Sequence, residues 1–202
     1  MEKALSGEIV LEFFDGSHFV MGCDFLGRIY GKTRRFVKTF SGRMRNNVLG
    51  ALNFVTKEVT TVTNDAYLNG ESVCDLLKKL SMKYIGQPIY VILDNARYQK
   101  CKIVQELVDQ LGITLVYIPP YSPNLNLIER LWKFVKNNLR TKYYDNFDEF
   151  KERIGSLVNS TDKENKNIID QLIGEKVQIF DNLIPINENT FVESNTRGIL
   201  AA

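Results

Sequence analysis

Five consecutive apolar residues, Ile89-Tyr90-Val91-Ile92-Leu93, lie between Pro88 and Asp94. A run this short and unbroken, closed by a proline and an acid, reads as a strand buried on both faces. Such a strand needs helices above and below it, which makes the surrounding chain an α/β domain. The flanking patterns agree. Val73, Leu76, Leu77 and Leu80 fall at helical spacing over 71–84, with Asn69 or Ser72 available as cap. Ile103, Val104, Leu107, Val108 and Leu111 mark a second helix, stopped by Gly112. Residues 114–118 read as the next strand. Strand, helix, strand, helix, strand from 57 to 118 implies parallel pairing through right-handed crossovers. Upstream, residues 8–15 alternate, with Ile9, Leu11, Phe13 and Asp15 on one face. Gly16-Ser17 marks a bend, after which 18–21 continue or restart the strand. Residues 47–54 and 57–63 read as a hairpin turning at Thr56-Lys57, so the first three strands are antiparallel neighbours. Downstream, helices are expected over about 124–140 and 147–158, the second capped by Asp145 or Asn146.

Three acids stand where these elements end or begin. Asp94 closes the buried strand, at the edge where open α/β sheets hold their ligands. Asp15 ends the first strand, and Glu129 opens the helix after Ile118-Pro119-Pro120-Tyr121-Ser122-Pro123. Carboxylates on three separate elements suit two Mg²⁺ or Mn²⁺ ions and phosphoryl chemistry, since hard oxygen donors match hard cations. Each acid has a plainer reading. Asp94 suits turn chemistry or a helix cap, and Asn126-x-x-Glu129 has the form of a capping box. Glu129 and Lys133 have the spacing of an ion pair along one helix. Asp24 is a rival to Asp15 as the first acid. Asn95 and Arg97 either support the acids and contact substrate or are surface residues. His18, the only histidine, reads as a structural or surface residue, because one histidine makes no metal cluster.

Charge adds a direction. The net charge is only +2, yet residues 1–142 carry 20 Lys and Arg against 13 Asp and Glu, and the remainder 6 against 11. From Arg28 to Arg45 the basic residues include Arg34, Arg35, Arg43 and Arg45, with no acid among them. Lys133, Lys136 and Arg140 extend a basic stripe from Glu129 along its helix. Such runs are solvated surface or phosphate contacts. Three cysteines, Cys23, Cys74 and Cys101, lack metal spacing and fit a reducing cytoplasm. No signal peptide opens the chain and no apolar run reaches membrane-spanning length, so no membrane partner is expected.

Two blocks, Leu93-Asp94-Asn95-Ala96-Arg97 and the run from Tyr117 to Trp132 containing Asn124-Leu125-Asn126-Leu127-Ile128-Glu129, strongly resemble the catalytic domain of mariner-superfamily DDE transposases. They are most similar to bacterial insertion sequences of the "six-thirty" group. The 34 residues between Asp94 and Glu129 match that family's spacing between its second and third acids. The stretch from Phe13 to Phe19 looks like its first-acid strand, and the resemblance spans about residues 8 to 155. It implies a ribonuclease-H-like fold, with a five-stranded mixed sheet in the order 3-2-1-4-5 and helices on both faces. It implies that Asp15, Asp94 and Glu129 are catalytic and hold two Mg²⁺ or Mn²⁺ ions. The implied partners are DNA, as transposon ends and a TA target, and a second copy in a synaptic complex; the implied place is the bacterial cytoplasm, at the nucleoid. Arg34, Arg35, Arg43, Arg45, Arg97, Lys133 and Lys136 are the expected DNA contacts. The division expected is a catalytic domain over 1–158 and a partly irregular extension over 159–202, without the family's N-terminal helix-turn-helix region. Two other readings compete: a non-catalytic DNA-binding or dimerisation relic, and a nuclease of the same fold acting on another nucleic acid.

Overall fold

The computed structural model describes residues 1–21, 44–119 and 122–174. Asp24, Arg34, Arg35 and Arg43 therefore lie outside the described residues.

A short helix α1 (Glu2–Leu5) leads into β1 (Val10–Val20), followed by β2 (Arg45–Asn53) and β3 (Val59–Asn64). Then α2 (Gly70–Lys83), β4 (Ile89–Leu93), α3 (Lys102–Leu111) and β5 (Ile113–Tyr117) alternate. Three helices follow: α4 (Ile128–Leu139), α5 (Phe147–Asn159) and α6 (Lys166–Gly174). The strands form one sheet in the order β3-β2-β1-β4-β5. β1, β2 and β3 pair antiparallel, and β4 pairs parallel with both β1 and β5. The expected order and both senses of pairing are present.

Each face of the sheet has its own core. Val10, Phe14, Val91 and Leu93 pack with α2 and α3 residues such as Leu76, Leu77, Leu80 and Val104. Leu11, Phe13 and Phe19 pack with Ile128, Leu131, Trp132 and Val135 of α4 and with Ile154 of α5. Ile169 and Ile173 of α6 join that second core. The caps are local chemistry. Asn69 Oδ1 accepts the Ser72 amide at 3.0 Å, and Asn146 Oδ1 accepts the Glu149 amide at 2.8 Å. Gly112 closes α3 at φ 64°, the left-handed conformation that glycine adopts without strain.

Two local expectations change. β1 does not break at Gly16-Ser17 but runs unbroken to Val20, because β2 pairs with it along that whole length. α4 starts at Ile128 rather than near Asn124, behind a 3-10 turn over Pro123–Leu125. The Asn126 side chain is buried and donates to the Phe14 carbonyl at 2.9 Å, which binds this turn to β1.

β1 also holds a buried acid on the α2 side. The Glu12 carboxyl is fully buried, and burial pushes its pKa up to about 7 although the Asn53 amide, the Tyr84 hydroxyl and the Lys83 charge pull it down. The folded chain thus keeps a proton that the unfolded chain releases near its ordinary value of 4.5. Between those values the native state binds more protons, so stability falls as pH rises from about 4.5 through about 7. Glu12→Gln keeps an acceptor for Asn53 and carries no charge. It is expected to be more stable than the parent at pH 8, by up to about 3 kcal/mol. Urea unfolding at both pH values checks this: the gap must close by pH 4.

Candidate active site

The strand register brings two of the three acids together. Parallel pairing of β1 with β4 ends at Phe14 beside Leu93. The next residue of each chain is an acid, Asp15 and Asp94, on neighbouring strands that run about 4.8 Å apart. Side chains alternate along a strand, so both acids follow Phe13 and Ile92 onto the α4 face. Glu129 lies in the first turn of α4 above them. Two asparagines fix the surrounding loops. Asn126 holds the approach to α4 on the Phe14 carbonyl. Asn95 Nδ2 donates to the Ile118 carbonyl at 2.6 Å and joins the ends of β4 and β5.

The capping-box reading of Glu129 does not hold: Leu127 is the cap position, without a side-chain bond, and the Asn126 amide is committed to Phe14. Among the described residues Glu129 makes no ion pair with Lys133. Asp94 does use turn chemistry, since its Oδ1 accepts the Ala96 amide at 3.4 Å, a bond compatible with a further role.

The acids feel one another. Burial pushes the Asp15 pKa up to about 7, with the Glu129 and Asp94 charges adding to it and Lys136 opposing. Glu129 is raised too, by burial first and by Asp94, with Lys136 again pulling down. Each repulsion disfavours a second negative charge. As placed, the carboxylates do not close into a cage: among the described residues no three Asp, Glu, His or Cys stand close enough to hold an ion. The donor set nevertheless fits a hard divalent cation, being all oxygen and mutually repelling until positive charge is added.

Beyond the end of β4, Asp15–Val20 and Arg45–Gly50 project as a ribbon under α4, with Thr61–Asn64 of β3 paired along Asn47–Gly50. Between ribbon and helix lies an open cavity of about 450 Å³. Asp15, His18 and Glu129 line it near the acids, and Lys133, Lys136 and Arg140 line it along the helix. The Lys136 ammonium lies over the Phe19 ring, 5.7 Å from its centre. Asp94 is not a lining residue of this cavity; it meets Asp15 across the β1–β4 boundary. Arg45 is exposed at the far end of the ribbon, opposite Val20, and Arg97 is exposed in a 3-10 turn after β4. His18, read from sequence as structural or surface, is a lining residue. Three residues from Asp15 on an unbroken strand, its side chain lies on the opposite face of the sheet, where Nδ1 meets Asn47 Oδ1 at 2.6 Å. Among the described residues no helix is long and apolar enough to cross a membrane.

Known proteins share this fold. A stretch of 65 residues is 32% identical to the uncharacterized protein y4pE/y4sA of Sinorhizobium fredii, covering 32% of this chain and 46% of that one. The structure of the Mos1 mariner paired-end complex with Mn is similar in fold, with a TM-score of 0.58 at 12% identity over 85% of this chain and 55% of that one. The catalytic core of BIV integrase is also similar, with a TM-score of 0.51 at 15% identity over 76% of this chain and 84% of that one. The matches thus span about half the length of the Sinorhizobium and Mos1 proteins. These likenesses and the sheet order show a ribonuclease-H-like fold. The family described as DDE superfamily endonuclease matches residues 25–151, a stretch that includes Asp94 and Glu129 and begins beyond Asp15. With well over half its length in that match, the chain belongs to the DDE superfamily endonucleases.

Proposed function

We propose that the chain is a transposase catalytic domain, which cuts DNA at transposon ends and joins them to target DNA at TA dinucleotides. Asp15, Asp94 and Glu129 are its catalytic acids, and together they would hold two Mg²⁺ or Mn²⁺ ions. The observation that carries this reading is the register: Asp15 follows Phe14 as Asp94 follows Leu93, on paired strands under Glu129. Divalent cations held there supply Lewis-acid polarisation of phosphoryl oxygens and lower the pKa of a bound water or hydroxyl. In the first step water attacks phosphorus and the bond to the 3′-oxygen breaks, freeing a 3′-hydroxyl. In the second that 3′-oxygen attacks a target phosphorus and displaces another 3′-oxygen. Both are in-line displacements that need positioning and charge neutralisation, with no protein nucleophile. Lys133 and Lys136 contact the phosphates along α4, which fixes the position of DNA without reading its sequence. Two transposon ends must meet for joining, which calls for two copies in one synaptic complex.

A labelled transposon-end duplex, a plasmid target and Mg²⁺ or Mn²⁺ test the proposal. Joined products with the end attached at TA are expected. Cleavage of an RNA·DNA hybrid without any joining supports the nuclease reading instead. Salt-sensitive DNA binding with no metal-dependent turnover supports the relic.

A further inference from the structure

We infer that Asn126 and Asn95 are positioning residues that set the affinity of this site for divalent cations: their side-chain amides tie the chain that delivers Glu129 to the immediate neighbours of Asp15 and Asp94. This role rests on the proposed reading of those three acids as cation ligands.

The first tie sits at the seam between β1 and β4. The Val10 N–H donates to the Pro88 carbonyl at 2.8 Å on the β4 side, and the Leu11 carbonyl accepts the Phe54 N–H at 2.9 Å on the β2 side. Backbone groups alternate between the two edges of a strand, so Phe14 turns its carbonyl toward β4. Phe14 is also the last residue of β1 that pairs with β4. Its carbonyl therefore lies in the plane of the sheet where the two strands part, one residue before Asp15. Asn126 Nδ2 donates to that carbonyl at 2.9 Å. The Asn126 carbonyl in turn accepts the Glu129 N–H at 3.1 Å, so one residue links the strand of the first acid to the helical turn of the third.

The second tie brackets Asp94. The Leu93 carbonyl accepts the Ile118 N–H at 3.0 Å, and Asn95 Nδ2 donates to the Ile118 carbonyl at 2.6 Å. The residues on either side of Asp94 thus hold both peptide groups of Ile118, where the chain leaves β5 for α4.

Asn126 is 2% exposed, and its Oδ1 has no partner among the described residues. Folding alone does not explain such a residue, because an unpaired buried oxygen costs stability. Holding the acids does. The charges of Asp15, Asp94 and Glu129 repel until positive charge arrives, and that repulsion drives their three elements apart. The two amides limit the spread. A cation then meets donors already near their bound places, and less of its binding energy goes into drawing them together.

Binding of Mn²⁺, read from the loss of the free-ion paramagnetic resonance signal, tests the role without turnover. Asn126→Ala, Asn126→Leu and Asn95→Ala are each expected to raise the dissociation constant roughly 10- to 100-fold, the range typical when a group that orients a metal ligand is removed. Leucine refills the volume that alanine empties, and Asn95 is only half-buried, so the three variants disturb packing differently and share the lost tie. Val104→Ala is the control. Val104 is fully buried in the core on the α2 side of the sheet, and its truncation should lower the urea midpoint and leave Mn²⁺ affinity unchanged. Parental affinity in Asn95→Ala, or in both Asn126 variants, overturns the role of that residue; an equal loss in Val104→Ala overturns both. In each of those cases a parent chain that binds Mn²⁺ leaves the reading of the acids standing. A parent chain that binds no Mn²⁺ overturns that reading, and this role with it.

Discussion

Asp94→Asn is expected to lower metal-dependent nicking and joining by on the order of 10³-fold or more while leaving the fold intact. Asparagine has nearly the volume of aspartate, and its oxygen can still accept the local bond from the Ala96 amide, so the turn after β4 should survive. What disappears is one negative charge of a cluster that acts on both Asp15 and Glu129. Charge stabilisation by a bound cation supplies several kcal/mol at a phosphoryl centre, and each 1.36 kcal/mol is tenfold in rate. Removing a charged donor puts most of that at risk. A second readout follows from the repulsion. Without divalent cation, Asp94→Asn relieves like-charge repulsion and should melt at or slightly above the parent. With Mn²⁺, the parent should gain stability in proportion to cation binding and the variant should gain less. A variant that nicks at the parental rate, or an equal Mn²⁺ response in both proteins, removes Asp94 from the site.

Much of this fold was legible in the sequence, for reasons that can be assigned. The run Ile89–Leu93 gave β4 because a doubly covered strand has no polar positions, and its burial beneath helices on both sides bears that out. The helices over 70–83, 102–111 and 147–159 follow from apolar spacing and from caps that are chemically explicit. The strand order came from the family resemblance, since periodicity alone leaves the order of strands open. Other features depended on contacts between distant residues. Alternation on β1 marked one buried face, but Glu12 on the other is equally buried because α2 and Tyr84 cover it. Asn126 has the sequence form of a helix cap, yet its amide reaches the Phe14 carbonyl, a partner that exists only once α4 lies on the sheet. The cavity was not legible because it is made by a difference in length: β1 and β2 continue past the end of β4, and no local pattern encodes that.

Trp132→Ala is expected to destabilise the chain by about 3–5 kcal/mol, the cost typical of deleting a buried large aromatic side chain. Trp132 is 3% exposed and stands one turn beyond Glu129 on α4. Its ring meets Phe19 edge-on, with centroids 5.9 Å apart at 78°. The ring also fills space that Gly50 leaves open: a Cβ at Gly50 would lie 2.8 Å from Trp132 Cη2 and Cζ2. Gly50 is the register partner of Asp15, so the same contact that seats α4 on the ribbon sets the height of Glu129 over the first acid. Gly50→Ala should therefore cost about 1–3 kcal/mol through overpacking. Trp132→Phe should cost less than Trp132→Ala, because the indole N–H has no hydrogen-bond partner among the described residues. The pair is coupled. Phenylalanine lacks the two ring atoms that the new methyl would strike, so Gly50→Ala combined with Trp132→Phe should cost less than the sum of the single changes. Urea midpoints of the four proteins measure that coupling, which is expected to be about 1 kcal/mol or more for residues in direct contact. Strict additivity would mean that the Gly50 backbone and the Trp132 ring do not share this space, and the seating of Glu129 over Asp15 would lose its support.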